Sequence, residues 1–516
     1  MNGTRTWYRR SLAAITVAAG VAAGVIATPA RPAAADDRAA PRARQVIDLA
    51  QDWRFALANP TGITVPPAFA SAHLPSFDDA SWRSLDVPHD WSIELAPVAR
   101  ADTSGDTGFL PGGLGFYRKR FAVPPRLAGK KISIEFDGVF MNAEIYVNGQ
   151  LVGVHPYGYT GFASDLSSIV HTDGSANLVV VKVANQLPSS RWYSGSGIYR
   201  NVRLVATDAV HVARHGSFVT TPDVGATLGA GYADVHVATD LVNESAREAH
   251  ATMIYTIRDA RGRAVGQARS PIVVSPGAAR DTAVIRVANP ALWSIDAPVT
   301  YVLETRVAIG RDDVDAIDTR FGVRWVEVDP ARGLAINGVA TKLHGIDLHH
   351  DLGALGAAVH PDAIWREMSI MKAMGVNALR TSHNPPSPEL IDVCERLGIV
   401  VMVEAFDTWR THKVQFDYAS YFGVEAPGAG GRMWSDVDIL EMVNTFKSSP
   451  AVILWSIGNE IRGQTIEDAQ RLVADVKSVD TSRPVVWGSD SYRSPPAPDS
   501  VNGKIAVLLD GVGSPM

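Results

Sequence analysis

The sequence predicts a multidomain protein: a β-sandwich, an immunoglobulin-like β-sandwich and then a partial (β/α)8 barrel, all behind an N-terminal export leader. Three observations carry this prediction. The 516 residues suffice for roughly three domains, each with its own core. Short alternating runs broken by Gly, Pro and Asn fill the first part of the chain. After about Leu334 apolar runs alternate with helical patterns instead. Hydrophobic residues at 46% and charged residues at 20% lie in the ordinary globular range, which excludes collagen-like, coiled-coil and mostly disordered chains.

The leader comes first. Arg5, Arg9 and Arg10 precede an apolar run from Leu12 to Ala27, and Ala33-Ala34-Ala35 follows. A positive segment, an apolar segment and a small-residue cleavage site form a signal peptide, here residues 1–35. A retained membrane anchor is the alternative, but the run is slightly short for a span. Secretion is therefore expected, by the general route or, from the Arg9-Arg10 pair, by the twin-arginine route, with no stable membrane span after cleavage.

The first sandwich is placed at residues 36–208. Lys131 to Phe136, Ala143 to Val147 and Leu178 to Val183 read as strands, and Asn148-Gly149 between two apolar runs is a strong hairpin signal. The second sandwich, 209–326, continues with Ala233 to Val237, Thr252 to Ile257 and Thr300 to Val307. The third domain, 327–516, reads as βα units: strands at Lys342 to Ile346, Val376 to Leu379, Ile399 to Val403, Ala451 to Trp455 and Val485 to Trp487. Helices fall at Pro361 to Met374, Pro388 to Leu397, Asp436 to Phe446 and Thr465 to Val479. Near-continuous apolar strands at this spacing belong to a parallel barrel; a doubly wound sheet is the alternative, although no glycine-rich phosphate loop follows any strand.

Charge and cysteine usage narrow the function. With 48 Lys plus Arg against 54 Asp plus Glu, and no basic run of five or more, nucleic acid is not an expected partner. The single cysteine, Cys394, excludes an intrachain disulfide and a thiolate metal cluster, and its apolar-periodic setting makes it a buried structural thiol.

Polar residues at the carboxyl ends of barrel strands line one mouth, so the chemistry is sought there. The strand ending at Trp455 leads into Ser456-Ile457-Gly458-Asn459-Glu460, where a partly desolvated carboxyl group suits a general acid. The strand ending at Leu379 leads into Arg380-Thr381-Ser382-His383-Asn384-Pro385, and the first into His349-His350-Asp351. Singly, such a Glu is more often a helix cap and such a His a satisfied loop residue. Three adjacent strand ends with titratable groups favour a site. A metal site at His349, His350 and Asp351 is disfavoured, because adjacent residues on an extended chain point to opposite sides.

These residues carry a resemblance. Trp455 to Glu460 and Asn377 to Pro385 resemble the two signature blocks of glycoside hydrolase family 2, the β-galactosidase and β-glucuronidase group. Val87-Pro88-His89-Asp90-Trp91, Tyr146-Val147-Asn148-Gly149 and Ser196-Gly197-Ile198-Tyr199-Arg200 resemble that family's N-terminal jelly-roll domain. The resemblance implies a jelly roll, an immunoglobulin-like sandwich and a TIM barrel that cleaves terminal β-linked sugars with retention. It implies that Glu460 is the acid/base, that Asn459 donates to the sugar 2-hydroxyl, that His349 and His383 hold ring hydroxyls, and that Arg380 orients the nucleophile. The implied partner is an oligosaccharide or glycoside substrate.

Departures from the pattern qualify it. Asn384 stands for a tyrosine, Glu395 for Asp or Asn, and Ser448-Ser449 for Asn-His. Ser190-Arg191-Trp192-Tyr193 lies where some β-galactosidases carry an acidic residue for the 6-hydroxyl. Phe406-Asp407-Thr408-Trp409 replaces a magnesium-binding Glu-x-His, so no metal and no cofactor are expected. A sixth strand is placed at about 505 to 512, whereas a closed barrel needs eight. The chain is thus expected to be C-terminally truncated relative to the family, with no nucleophile: Glu467, Asp468, Asp490, Asp499 and Asp510 lack the motif. Such a barrel is expected to expose strand edges and to leave Arg380 without its carboxylate. Two readings remain, a secreted retaining β-galactosidase with β-glucuronidase as runner-up, and a catalytically silent carbohydrate-binding fragment. β-Mannosidase and exo-glucosaminidase members rarely carry the Ser-His-x-Pro block and rank lower.

Overall fold

The computed structural model describes residues 44–329, 331–488, 499–509 and 511–513. The predicted leader, 1–35, lies outside the described residues. Among those that are described, no helix is long and apolar enough to cross a membrane.

The first domain is a sandwich of two antiparallel sheets. One runs in the order Gln45–Asp48, Val202–Thr207, Lys131–Phe136, Phe162–Asp165. The other runs Arg83–Leu85, Trp53–Asn59, Gly113–Ala122, Ala176–Asn185, Ala143–Val147, Gln150–His155. Trp53, Ile134, Phe136, Ile145 and Val181 are buried between them. The hairpin at Asn148-Gly149 pairs Val147 with Gln150. Both turn residues are left-handed, at φ 51° and 86°, the geometry a two-residue loop needs to match strand twist.

The second domain packs a three-stranded sheet (Val210–Thr220, Tyr232–Asn243, Gly277–Ala288) on a four-stranded one ordered Ala264–Val274, Ala249–Arg258, Tyr301–Ile309, Asp312–Phe321. Tyr232–Asn243 alternates half-buried and buried residues along its whole length, which puts Ala233, Val235, Val237 and Leu241 into the core.

A small antiparallel sheet (Val326–Asp329, Gly333–Ile336, Val339–Ala340) leads into six parallel strands in chain order: Gly345–Leu348, Ala378–Thr381, Val400–Glu404, Val452–Asn459, Val485–Gly488 and Gly511–Gly513. Helices Pro361–Ala373, Pro388–Leu397, Trp434–Phe446, Ile466–Val479 and Val501–Leu508 connect them. Ser387 and Thr465 start two of these helices, each accepting from a backbone N–H three residues on. Cys394 is buried, as its pattern predicts.

Two barrel elements differ from the sequence prediction. The first strand begins at Gly345 rather than Lys342, because the Asn377 side chain accepts from the His344 N–H at 2.7 Å and donates to the Lys342 carbonyl at 3.0 Å, so those groups leave the ladder. The predicted strand over 505–512 is a helix to Leu508, capped by Ser500, with a strand only at Gly511–Gly513. The apolar run from Ile505 has no period-two alternation to mark a strand, and the cap decides for helix. At the edge of the parallel sheet, no residue of Gly345–Leu348 is fully buried.

The first sandwich is tied to the barrel by two buried charges from its signature segments. Arg200, 1% exposed, donates through Nη1 to the carbonyls of Tyr159 (2.7 Å) and Pro386 (3.1 Å) and through Nη2 to Pro385 (2.9 Å). Asp90 accepts from the backbone N–H groups of Ser92, Ser196 and Ala357 and from the Tyr193 hydroxyl. A Cβ on Gly195 or Gly356 would lie within 2.5 Å of that carboxylate, so both positions need glycine. Arg200→Met would strip several buried carbonyls of their donor, at about 1–3 kcal/mol for each group left unsatisfied. The expected outcome is a lowered unfolding midpoint in chemical denaturation, with Arg200→Lys falling between the variant and the parent.

Candidate active site

Parallel strands deliver their carboxyl ends to one side of the sheet, and the sequence-predicted residues converge there. His349 follows the first strand, Arg380 lies on the second with His383 just behind it, and Asn459 and Glu460 close the fourth. The strand carrying the last two runs four residues beyond its predicted end, so Asn459 is held by the ladder itself.

At the centre is a residue that the sequence reading passed over. Glu404, at the end of the third strand, has no exposed surface. One carboxylate oxygen accepts from His383 Nδ1 at 2.6 Å and from Arg380 Nη2 at 3.1 Å. The other accepts from Arg380 Nη2 at 2.9 Å and Nε at 3.2 Å, and from the Ser456 hydroxyl at 2.6 Å. Burial alone would push this carboxyl up; the His383 hydrogen bond and the Arg380 charge outweigh it and hold the group below the ordinary carboxylate range. Arg380, expected to lack the nucleophile's carboxylate, is thus paired with the carboxylate of Glu404. The signal was available, because Glu404 is an acidic residue at a strand end like the others.

Arg380 also donates to Asn459 Oδ1 at 2.8 Å, which fixes the amide with its Nδ2 towards Asp407 Oδ1 at 2.9 Å. Gly488, on the fifth strand, makes room for this guanidinium, since a Cβ there would sit 2.6 Å from Arg380 Nη2.

The two histidines of the first strand end separate, as expected. The His349 ring stacks on Trp192 at 4.7 Å, and its Nδ1 donates to the Ser382 carbonyl at 2.7 Å, leaving Nε2 as the acceptor of the neutral ring. Burial pushes its pKa down. His350 points away, into Tyr159 and Tyr199, and burial lowers its pKa to about 3, so it is a neutral core group.

Glu460 adopts φ 47°, and its N–H donates to the Gly488 carbonyl at 2.7 Å. Its side chain is 30% exposed, and Oε2 lies 3.4 Å from Arg191 Nη2. Arg191 comes from the first sandwich, and its fork grips Asp407 through Nε (2.9 Å) and Nη2 (2.6 Å). Lys413 Nζ, nearly fully buried, donates to Asp407 Oδ1 at 2.9 Å and to the Asn459 carbonyl at 2.8 Å. Arg191 and Asp407 were visible in the sequence only as departures from a pattern; Lys413 carried no signal.

Of the remaining acidic residues considered, Glu467 and Asp499 are exposed, Asp468 is taken by Arg410 and Arg471, and Asp490 and Asp510 lie outside the described residues. Among the described residues no three His, Cys, Asp or Glu side chains gather as a metal-ligand set.

Comparison with known proteins follows the same three-part division. The family model for the glycosyl hydrolases family 2 sugar binding domain matches residues 44–208, that for glycosyl hydrolases family 2 matches 210–324, and that for the family 2 TIM barrel domain matches 326–505. A β-galactosidase of Bacteroides ovatus is 40% identical over 87% of this chain and 55% of its own. A β-glucuronidase of Bacteroides fragilis is 25% identical over 79% of this chain and 58% of its own. The crystal structure of a glycosyl hydrolase family 2 member from Bacteroides cellulosilyticus superposes with a TM-score of 0.82 at 35% identity, covering 92% of this chain and 58% of that one. The chain thus spans little more than half the length of these relatives.

The charge network makes a pH-dependent contribution to stability. Burial opposes ionisation of Asp407, but Arg191, Lys413 and Asn459 outweigh it and hold the carboxyl down at about 2. A folded value below the ordinary 3.8 means that the stabilisation is complete above about pH 4 and is lost as pH falls towards 2. Asp407→Asn is expected to cost on the order of 2 kcal/mol at pH 7, with the gap to the parent closing between about pH 4 and pH 2. Urea denaturation of both proteins at pH 7 and pH 3 measures this; a gap unchanged by pH would contradict it.

Proposed function

The chain belongs to glycosyl hydrolase family 2, and from that premise we propose that the protein is a secreted, retaining exo-β-glycosidase, a β-galactosidase in preference to a β-glucuronidase. The observation that carries the reading is the placement of Glu460: a carboxyl group at a barrel strand end, open to the mouth, beside a buried asparagine whose amide is fixed from both sides.

In retaining hydrolysis one carboxylic acid protonates the leaving oxygen, and a second carboxylate, about 5 to 5.5 Å away, attacks the anomeric carbon. Glu460 is assigned the first role and, once deprotonated, that of base towards water. One Nδ2 hydrogen of Asn459 is taken by Asp407, and the other, which meets no partner among the described residues, is assigned to the sugar 2-hydroxyl, a bond that strengthens as positive charge develops on the ring. His349 and His383, backed by the Trp192 ring, are assigned to ring hydroxyls. Arg380 is assigned to orientation of the nucleophile through Nη groups that Glu404 has already aligned. Glu404 itself is not the nucleophile, since both its oxygens are engaged and buried. The family resemblance puts that residue on a later barrel strand than those described. Galactose is preferred over glucuronate because the relative at 40% identity is named a β-galactosidase.

Protein that also carries the later strand with the nucleophile is expected to release p-nitrophenol from p-nitrophenyl β-galactoside in preference to the β-glucuronide, and Glu460→Gln to lose roughly 10²- to 10⁴-fold in turnover, the usual scale of general acid–base assistance. Undiminished turnover by the variant would overturn the assignment. Export is tested by N-terminal sequencing of protein recovered from the medium, which is expected to begin near Asp36.

A further inference from the structure

The acid/base assignment leaves one feature unexplained. Among the described residues, the charged side chain that reaches the Glu460 carboxyl group comes from a different domain: Arg191 lies on the loop between the sandwich strands Ala176–Asn185 and Val202–Thr207. That loop is locked at several points. Tyr193 and Ser196 bind Asp90, His350 donates to the Ser194 carbonyl, and the Phe416 N–H from the barrel donates to the Pro188 carbonyl.

The guanidinium is held harder by Asp407 than by Glu460. Two short bonds, 2.9 and 2.6 Å, fix its plane on Asp407, while the same Nη2 reaches Glu460 at 3.4 Å. Bidentate pairing of this kind sets the orientation as well as the position of an arginine. Lys413 donates to Asp407 Oδ1, which Arg191 Nη2 also reaches, and grips the Asn459 carbonyl, in the peptide that joins Asn459 to Glu460. Asp407 therefore controls the acid/base from two directions, its backbone through Lys413 and its carboxyl group through Arg191.

We propose that Arg191, supplied by the N-terminal sandwich and pinned by Asp407, is the positioning residue of the acid/base Glu460. The inference rests on the reading of Glu460 as acid/base. When the proton passes from Glu460 to the glycosidic oxygen, the bond between that oxygen and the anomeric carbon breaks with its electron pair going to the oxygen, while the second carboxylate of retaining hydrolysis gives a pair to the anomeric carbon to form the glycosyl-enzyme bond. The aglycone leaves as a neutral alcohol and Glu460 is left as a carboxylate, with a cation already aligned beside it. A lysine at this position would keep the charge but could not grip Asp407 in a bidentate fork while reaching Glu460.

An arginine that merely docks one domain on another would affect all substrates alike, and the leaving group separates the two cases. The test is kcat/KM of the protein and of Arg191→Met, Arg191→Lys and Glu460→Gln on two glycosides of the same sugar, one with an activated dinitrophenyl leaving group and one with a poor alkyl leaving group. The activated one departs without protonation. Arg191→Met is expected to lose at least about tenfold more on the alkyl glycoside than on the dinitrophenyl one, a part of the roughly 10²- to 10⁴-fold that acid assistance supplies. Arg191→Lys is expected to show the same selectivity at smaller size, and it replaces Arg191→Met if thermal unfolding shows the latter to be misfolded. Equal losses on both substrates, or none, overturn the proposal while leaving Glu460 in place. If Glu460→Gln itself shows no leaving-group selectivity, the acid/base reading falls and this inference falls with it.

Discussion

The constraint on which the rest depends is the burial of the Glu404 carboxylate. A carboxylate withdrawn completely from water is tolerated only when paired and hydrogen-bonded, and Glu404 takes what it needs from two neighbouring strands. Arg380 and His383 approach from the second strand and its following loop, and Ser456 from the fourth. Each donor is thereby fixed in direction, and Arg380 passes the constraint on to Asn459. If one of these donors were misplaced, the carboxylate would be left uncompensated in a low-dielectric interior, so the network holds three strand ends in a single arrangement. Its contribution is to geometry more than to stability, since an apolar core of the same volume could be equally stable.

The N-terminal sandwich belongs to this arrangement rather than standing beside it. Its signature segments are spent on docking: Arg200 satisfies carbonyls of the loop that follows His383, and Asp90 fastens the loop bearing Arg191 and Trp192. One of those residues becomes an aromatic wall against His349 and the other a cation beside Glu460. Burying the Asp90 carboxyl raises its pKa, a cost met by three backbone donors and one hydroxyl, of which the Ala357 N–H comes from the barrel. The domain junction and the mouth of the barrel are therefore one structure.

How much of this was legible in the sequence follows the range of the interactions. Local devices read well: strands Lys131–Phe136 and Ala143–Val147 and helix Pro388–Leu397 fall where alternation, the Asn-Gly turn and helical periodicity put them. Asn459, Glu460, His349, His383 and Arg380 could be found because strand ends of a parallel sheet share one face, a rule that needs only strand positions. Partners set by tertiary packing could not. Arg191 and Asp407 are 216 residues apart, and neither declares the other. Each therefore registered as a departure, a missing acidic residue and a missing metal ligand, where the fold makes them a pair. Glu404 was not legible for another reason: a single acidic residue behind an apolar run carries no motif. The sixth strand failed because an apolar run without alternation is equally a buried helix.

Glu404, Asp407 and Glu460 are sorted by surroundings, and under the proposed function that sorting divides their work. Glu404 is closed off, with no exposed surface and donors on both oxygens, so it can neither give nor receive a proton without dismantling the strand ends. Asp407 is 13% exposed and clamped between two cations and an amide, which makes it a fixed negative charge across the working pH range. Glu460 alone is open, at 30% exposure, with a single long contact to Arg191. A proton donor must reach a substrate atom and exchange its proton afterwards, and only the least encumbered of the three can do so. The buried pair serves the open one: Glu404 fixes the asparagine beside it, and Asp407 fixes both its peptide and its cation. Similar side chains on neighbouring strand ends thus acquire different roles from the number and charge of the donors that each one meets.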